Sequence, residues 1–342
     1  MSVKRLVIWA HSECRSNAAL LASVSTLAEE RGIAVTTCLW DMMPMEESRK
    51  LHAFEPIRVG DDLQRGRDVV RRHGGPGTVH VFCVYQNSAV WRQLIVEAKE
   101  TGARVVVNAE APCEMCLGVK AWLKRAYYRW MLPWRVRAAV KAADLFVSSS
   151  GEMGKDRLLR LGWTEEKIVP FGYASPRVKV AGCGLRVAGR GSKKGLRALH
   201  LGSEAAYRGV EIAEKAARIA GVEMVKTGGT MSEEELVAEI RRADVVVGCG
   251  LCEPWGMRIN DVLLEGVPVV VSDGMGVSWA VERYGCGCVV PKGDVRALAG
   301  VLERCKSDAE FLSRLRSGAQ VAARELLPEN RAREWLRLVV SG

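Results

Sequence analysis

CEPWGMRINDVLLEGVPVVVSDGMG, running from Cys252 to Gly276, decides how the second half of this chain folds. Val-Pro-Val-Val-Val-Ser-Asp (267–273) is a near-continuous β-branched run, the mark of a strand covered on both faces. Ahead of it, from Gly256 onward, the spacing predicts a helix on which Asp261 and Glu265 share one stripe. Glu253 then falls in the loop before that helix. A loop carboxylate, a Trp255-Gly256 turn and the free N–H groups of a helix start are thereby aimed at one place.

Outward from this stretch the same alternation recurs. Upstream lie the predicted strand 196–203, a helix near 209–220, the strand 222–227, the helix 232–243 and the strand 244–250. Ser232 followed by Glu235 forms a capping box at the start of that last helix. Downstream come the helix 277–285, the strand 286–291 and helices from 294 onward. The N-terminal half has the same rhythm: strands at 4–10, 33–40, 78–85, 103–110, 142–150 and 165–172, with helices at 17–32, 61–73 and 87–102 between them. Between these halves, PRVKVAGCGLRVAGRGSKKG (176–195) is rich in glycine and basic residues and lacks periodicity, which predicts a linker. The reading is therefore α/β: two doubly wound domains facing a cleft, with ligands at the carboxyl ends of their strands. Residues 1–175 form the first domain, 176–195 the linker, 196–325 the second domain, and 326–342 a C-terminal helix packing back on the first.

Composition narrows the function classes. The 342 residues are 48% hydrophobic and 26% charged, as in an ordinary globular protein of more than one domain. No run reaches the roughly 18 apolar residues that a membrane span needs. The first apolar stretch is interrupted by His11, Glu13 and Arg15, too early for a secretion signal. Eleven cysteines scattered over predicted strands suit a reducing compartment, so a cytoplasmic location is expected. Cys113-x-x-Cys116 and Cys286-x-Cys288 invite a zinc reading, but no second CxxC and no nearby histidine accompany them, and no metal is expected.

The net charge of +10 is unevenly distributed: residues 117–141, LGVKAWLKRAYYRWMLPWRVRAAVK, hold seven Lys/Arg, three Trp, two Tyr and no acid. A basic helix interleaved with aromatic rings suits an anionic membrane surface. A solvated helical face with inward aromatics is the plain alternative. Nucleic acid is not expected, since no reader motif accompanies the charge.

Glu253-Pro-Trp-Gly-Met-Arg-Ile-Asn-Asp261, then Gly266-Val-Pro268 and Val-Val-Val-Ser-Asp273, resembles the E-x7-E signature of family 4 nucleotide-sugar glycosyltransferases, which have two Rossmann-like domains in the GT-B architecture. Leu201-Gly202 with Arg208-Gly209-Val210 looks like their phosphate-binding turn, 289–302 like the strand-loop-helix that follows the signature, and 142–174 like the close of their N-terminal domain. The resemblance is strong over 142–340 and weak before. It implies a metal-independent, hexosyltransferase-type enzyme that retains anomeric configuration, with a UDP- or GDP-sugar donor and no other cofactor. Glu253 would contact the donor sugar and Asp261 the ribose. Arg208, with Gly202, Ser203, Trp255, Gly256, Met257 and Arg258, would complete the donor site around the diphosphate. A helix N-terminus and an arginine both favour that anion.

Departures accompany the match. The second acid is Asp261 rather than glutamate, Ser203 stands where many members have arginine, and the region between the helices 209–220 and 232–243 has room for one strand only. Glu110 occupies the place of a frequent histidine, and either Glu110 or His11 would position or deprotonate the acceptor hydroxyl. With the 117–141 segment, the acceptor would be a glycan or lipid-linked glycan of cell-envelope assembly, met at the inner face of a membrane. The rival reading is a non-catalytic, glycosyltransferase-like subunit that binds nucleotide or glycan and supports a partner enzyme. A nicotinamide-dependent dehydrogenase is more distant, because neither domain opens with GxGxxG between a strand and a helix.

Overall fold

The computed structural model describes residues 2–11, 15–40, 57–83, 85–175, 195–202, 205–227 and 231–341, apart from the side chains of residues 11, 15–18 and 206. The expected linker 176–195 falls almost wholly outside them.

Two parallel sheets organise the chain. The first contains β1 (Arg5–His11), β2 (Ala34–Trp40), β3 (Ile57–Arg58), β4 (Thr78–Phe82), β5 (Arg104–Ala109), β6 (Leu145–Ser148) and β7 (Ile168–Pro170), in the order β3-β2-β1-β4-β5-β6-β7. The second contains β8 (Arg197–His200), β9 (Glu223–Lys226), β10 (Val245–Gly248), β11 (Val269–Ser272) and β12 (Gly287–Val290), in the order β12-β11-β10-β8-β9. Both are doubly wound, and each has a point where the strand order reverses: between β1 and β4 in the first, and between β8 and β10 in the second. Ligands bind outside the carboxyl ends of strands at such points.

The apolar runs become strands because both faces of each sheet are covered. In β1, Leu6, Ile8 and Ala10 point into a core with α1 (Arg15–Glu29), while Val7 and Trp9 point into the opposite core with α3 (Ala89–Glu100). Val269, Val270 and Val271 of β11 are fully buried. Polar residues mark the helix starts. Asp62 caps α2 (Leu63–His73), Ser88 caps α3, and Ser232 and Glu235 make both bonds of the capping box on α8 (Glu233–Arg242). α7 (Val210–Ala220) precedes β9, and β9 alone lies between α7 and α8 among the described residues.

The basic segment forms α4 (Gly118–Ala126), a π-helical turn (Tyr127–Met131) and α5 (Leu132–Ala142). Pro133 lacks an N–H and cannot continue a regular α-helical ladder, which suits a π turn immediately before it. α6 (Lys155–Arg160) follows β6. The second domain adds α9 (Met257–Leu264), α10 (Ser278–Tyr284), α11 (Val295–Ser307) and α12 (Ala309–Glu325).

The last helix, α13 (Pro328–Val340), leaves the second domain. Its Ala332, Trp335, Leu336 and Val339 complete the core around Leu6 and Ile8, and Trp335 Nε1 donates to Asn108 Oδ1 at 2.9 Å. Arg331 is 1% exposed; it donates to the Phe171 carbonyl and lies 3.7 Å over the Phe171 ring. Burial lowers its pKa, and the carbonyl, the ring face and Glu334 partner the charge that remains, with Nε alone lacking a partner among the described residues.

Candidate functional site

The site is assembled from two loops that leave β8 and β10, neighbouring strands at the reversal point of the second sheet. A 3-10 turn, Ala206–Arg208, follows β8, and the loop 249–256 follows β10. They are tied together by the hydrogen bond from Leu251 N to the Tyr207 carbonyl, at 2.7 Å. Gly209 makes this approach possible. It has φ +71°, and a Cβ there would stand 2.3 Å from the Cys249 carbonyl oxygen.

Arg208 lies at the end of the turn, half-buried, with its guanidinium 5.9 Å from the Tyr207 ring centroid. Its Nε is buried and has no hydrogen-bond partner among the described residues. A buried cationic donor without a partner is costly unless a ligand supplies the acceptor. His200, on β8 below it, is 1% exposed and its pKa is lowered, first by burial.

Glu253 is held by its backbone. Its N–H donates to the Gly274 carbonyl at 2.9 Å, and its carbonyl accepts from Gly276 N at 3.1 Å. Burial raises the pKa of its carboxyl, while the nearby Arg208 charge pulls it down. Gly256 is the N-cap of α9 with φ +101°, and no side chain caps the helix. A Cβ on Gly256 would meet Met275 Cε at 2.5 Å, so only glycine lets the helix begin here without displacing that side chain. A pocket lined by His200, Arg208, Glu253, Gly256, Arg258 and Met275 lies over this helix start.

The first domain contributes Glu110, just past β5. Tyr173 Oη donates to Glu110 Oε1 at 2.9 Å, and Gln86 Nε2 donates to the Glu110 carbonyl at 3.0 Å. Burial raises the Glu110 pKa, the Tyr173 bond lowers it, and the Glu253 charge across the cleft raises it again. Two carboxylates from separate domains thus lie close enough for the Glu253 charge to act on Glu110, and each is pushed above its ordinary value mainly by desolvation.

Other expected site residues are placed differently. Trp255 is 1% exposed; its Nε1 donates to Asn260 Oδ1 at 3.0 Å, and its ring fills the space beside Gly172, where a Cβ would lie 2.1 Å from Cη2. Asn260 in turn donates to the Tyr173 carbonyl at 3.2 Å and to Ser175 Oγ at 3.3 Å, so this group joins the domains. Asp261, one turn along α9, is half-buried, with Arg258 Nη1 3.5 Å from its Oδ2. Glu265, on the same stripe, pairs with Arg241 at 2.6 Å. Gly202 follows β8 and donates its N–H to Thr227 Oγ1 at 3.3 Å, and Met257 is half-buried at the helix start. Ser203 and the side chain of His11 lie outside the described residues.

Tyr173 and Asn260 were not singled out from the sequence. Asn260 had a visible signal, a polar residue between Ile259 and Val262 on an otherwise apolar face. Tyr173 had none. A second group also meets between the domains: the ligand atoms of Cys113, Glu114 and Cys252 all lie within 4.8 Å of one another.

Two doubly wound parallel sheets, with an arginine and an uncapped helix start at the reversal point of the second, are an arrangement suited to binding an anionic ligand. Residues 209–321 match the family model described as Glycosyl transferases group 1, which spans Arg208's neighbour Gly209, Glu253 and Gly256. No curated protein matches the sequence. Among solved structures, the chain is similar to Anabaena HepE in complex with UDP and glucose, with TM-score 0.62 and 14% identity over 99% of this chain and 100% of that one. It is also similar to the lipopolysaccharide outer core galactosyltransferase WaaB, with TM-score 0.65 and 11% identity over 98% and 99% of the two chains. A glycosyltransferase from Rickettsia africae matches with TM-score 0.64 and 11% identity over the whole of both chains. The protein is thus of the GT-B fold, and its second domain resembles that of family 4-like glycosyltransferases.

Proposed function

We propose that the protein transfers a sugar from a nucleoside diphosphate sugar, with UDP as the leaving nucleotide, to a hydroxyl acceptor in the interdomain cleft. The observation that carries this reading is Arg208: a buried guanidinium nitrogen without a partner, beside an uncapped helix start and a half-buried carboxylate. A departing diphosphate develops charge on its leaving oxygen, and the guanidinium and the helix start offer it fixed positive potential without reorganisation. The same groups take the place of a metal ion, so transfer is expected to persist in EDTA. Glu253 faces the sugar, and Asp261 the ribose. The acceptor oxygen approaches the anomeric carbon on the same face from which the diphosphate departs, as the bond to the phosphate oxygen breaks with its electron pair, so the configuration is kept. Glu110, oriented by Tyr173, holds the acceptor hydroxyl and takes up its proton. Retention of configuration is part of the proposal and follows from the resemblance of the second domain.

The test is the thermal unfolding midpoint of the apo protein against UDP-, GDP-, ADP- and dTDP-sugars in EDTA. A ligand that binds only the native state raises the midpoint by mass action, by roughly 2.7 kcal/mol of stability at a hundredfold excess over Kd, or several degrees. Stabilisation by UDP-sugars and not the others, followed by turnover, is the expected result. Stabilisation without turnover against any acceptor would favour the non-catalytic subunit, and no stabilisation by any of them would overturn the donor reading.

The acceptor is proposed to lie at an anionic membrane surface. Trp122, Trp130 and Trp134 are 63%, 71% and 83% exposed, with Val119, Leu123 and Met131 beside them. Lys120, Lys124, Arg125, Arg129, Arg135 and Arg137 are interleaved with them along residues 117–141, a segment with no acid in its sequence. Among the described residues no helix is long and apolar enough to cross a membrane. Exposed tryptophans ringed by cations match an interface in which the rings sit at headgroup depth and the charges meet anionic lipid. Liposomes containing phosphatidylglycerol should float the protein, and the triple variant Trp122→Ala, Trp130→Ala, Trp134→Ala should remain at the bottom. Equal recovery of both proteins, or no preference for anionic over neutral vesicles, would remove the membrane from the proposal.

A further inference from the structure

Cys113 and Cys252 come from different domains and are 139 residues apart, yet their Sγ atoms lie 2.8 Å from each other. Cys113 belongs to the loop after β5 that also contains Glu110, and Cys252 immediately precedes Glu253. Both cysteines are half-buried. Cys116, the other half of the Cys113-x-x-Cys116 spacing, stands outside the close group formed by Cys113, Glu114 and Cys252. Between the two cysteines of that spacing, Met115 takes φ +49°, the left-handed region that non-glycine residues seldom occupy.

The surroundings favour sulfur chemistry over a metal ion. Arg157 Nη1 lies 3.2 Å from Glu114 Oε2 and also donates to the Pro112 carbonyl at 2.5 Å. Glu114 is therefore already neutralised by a cation, and that guanidinium also bonds Cys252. A divalent ion would have to displace Arg157, and three ligand groups leave it short of the four that a structural zinc site takes. The same cation favours a thiolate. The Cys252 pKa is lowered to about 6: the hydrogen bond from the Cys113 thiol lowers it most and backbone N–H groups of Met115 and Glu114 add to that, while burial and the Glu114 carboxylate, 3.2 Å from Cys252 Sγ, oppose it. The Cys113 thiol is correspondingly pushed up. One sulfur is thus primed as a nucleophile and the other holds the shared proton.

We infer that Cys113 and Cys252 form a redox modification site, a reversible disulfide between the domains made by exchange with a low-molecular-weight disulfide such as glutathione disulfide. The Cys252 thiolate attacks one sulfur of glutathione disulfide, whose S–S bond breaks and releases one glutathione thiolate. The Cys113 sulfur then attacks Cys252 Sγ of the mixed disulfide and expels the second glutathione thiolate. The protons of the two protein thiols end on the two glutathiones. Two protein thiols are oxidised and one glutathione disulfide is reduced to two thiols, and excess thiol reverses the exchange. The sulfurs need to approach by only about 0.8 Å to reach bonding distance. The bond joins the loops that bear Glu110 and Glu253, so it holds the cleft at one width.

The test is peptide mapping of the full-length wild-type protein after equilibration in glutathione buffers from reducing to oxidising, with acid quench and alkylation. The expected product is a single Cys113–Cys252 linkage, with the thiols titrated after denaturation falling by two from eleven. Cys113→Ser and Cys252→Ser should each abolish it, and Cys116→Ser should not. Oxidation should slow UDP association and release, and dithiothreitol should restore both. A Cys113–Cys116 linkage, glutathione adducts alone, or no loss of thiols overturns the inference. So does stoichiometric zinc held by the reduced protein through both sulfurs. The wild-type map decides even if a serine variant fails to fold, and it does not depend on the donor reading.

Discussion

Replacing Glu253 with glutamine should lower turnover about a thousandfold while leaving the fold intact. The substitution preserves shape, and the backbone bonds of residue 253 to Gly274 and Gly276 do not involve the side chain. What it removes is the half-buried carboxylate that the proposed mechanism sets against the donor sugar. Stability should move the other way. Burial raises the Glu253 pKa. The native state therefore binds its proton more tightly than the unfolded chain does, and stability is lost as pH rises through the folded value. Glutamine has no such loss, so at pH 7.5 the variant should be at least as resistant to urea as the parent. Single-turnover transfer and a urea midpoint check the two halves, and turnover within about threefold of the parent would remove Glu253 from the reacting centre. Glu110 gives a companion reading. Its raised pKa places the acid limb of the rate profile above the ordinary carboxylate range, and Glu110→Gln should abolish that limb along with most of the rate.

The second large effect is expected on binding. Arg208→Ala should weaken UDP by about 10- to 100-fold, the worth of a charge-assisted hydrogen bond of roughly 1.5–3 kcal/mol. Isothermal titration of the apo protein with UDP measures it. The apo protein should lose little stability, because Arg208 Nε has no partner among the described residues and its burial is a cost in the absence of ligand. Together these outcomes separate a ligand-binding arginine from a structural one: removal of a structural arginine would lower the apo midpoint and leave the response to UDP unchanged. An unchanged Kd for UDP would place the diphosphate elsewhere.

Most strands and helices of both domains were legible because each answers to local rules, while the two-residue β3 (Ile57–Arg58) and the short α6 (Lys155–Arg160) were not, being too brief to show a period. Val269 to Val271 can only be a strand covered on both faces, Ser232 with Glu235 starts a helix, and Gly256 begins another where a Cβ has no room. Glu253 and Gly256 could be placed at a loop and helix start from the pattern alone, whereas Arg208 was reached through the resemblance of residues 201–210 to a phosphate-binding turn. Other features depended on which elements meet. Trp255 belongs to the signature stretch, yet its ring is taken up by Gly172 and Asn260 because the domains close on it. Trp122, Trp130 and Trp134 turn outward while Tyr128 donates to the Cys113 carbonyl, a choice that periodicity alone left open.

By itself, then, the sequence determined the two doubly wound sheets, their order, and that Glu253 and Gly256 fall at the loop and helix start after β10, since hydrophobic period, caps and glycine turns act over a few residues. Only the tertiary structure decided that Glu110 comes within reach of the Glu253 charge, that Tyr173 bonds Glu110, and that Cys113 meets Cys252. Those contacts join positions from 63 to 143 residues apart, and their geometry is set by how α13, Arg331 and Asn260 hold one domain against the other.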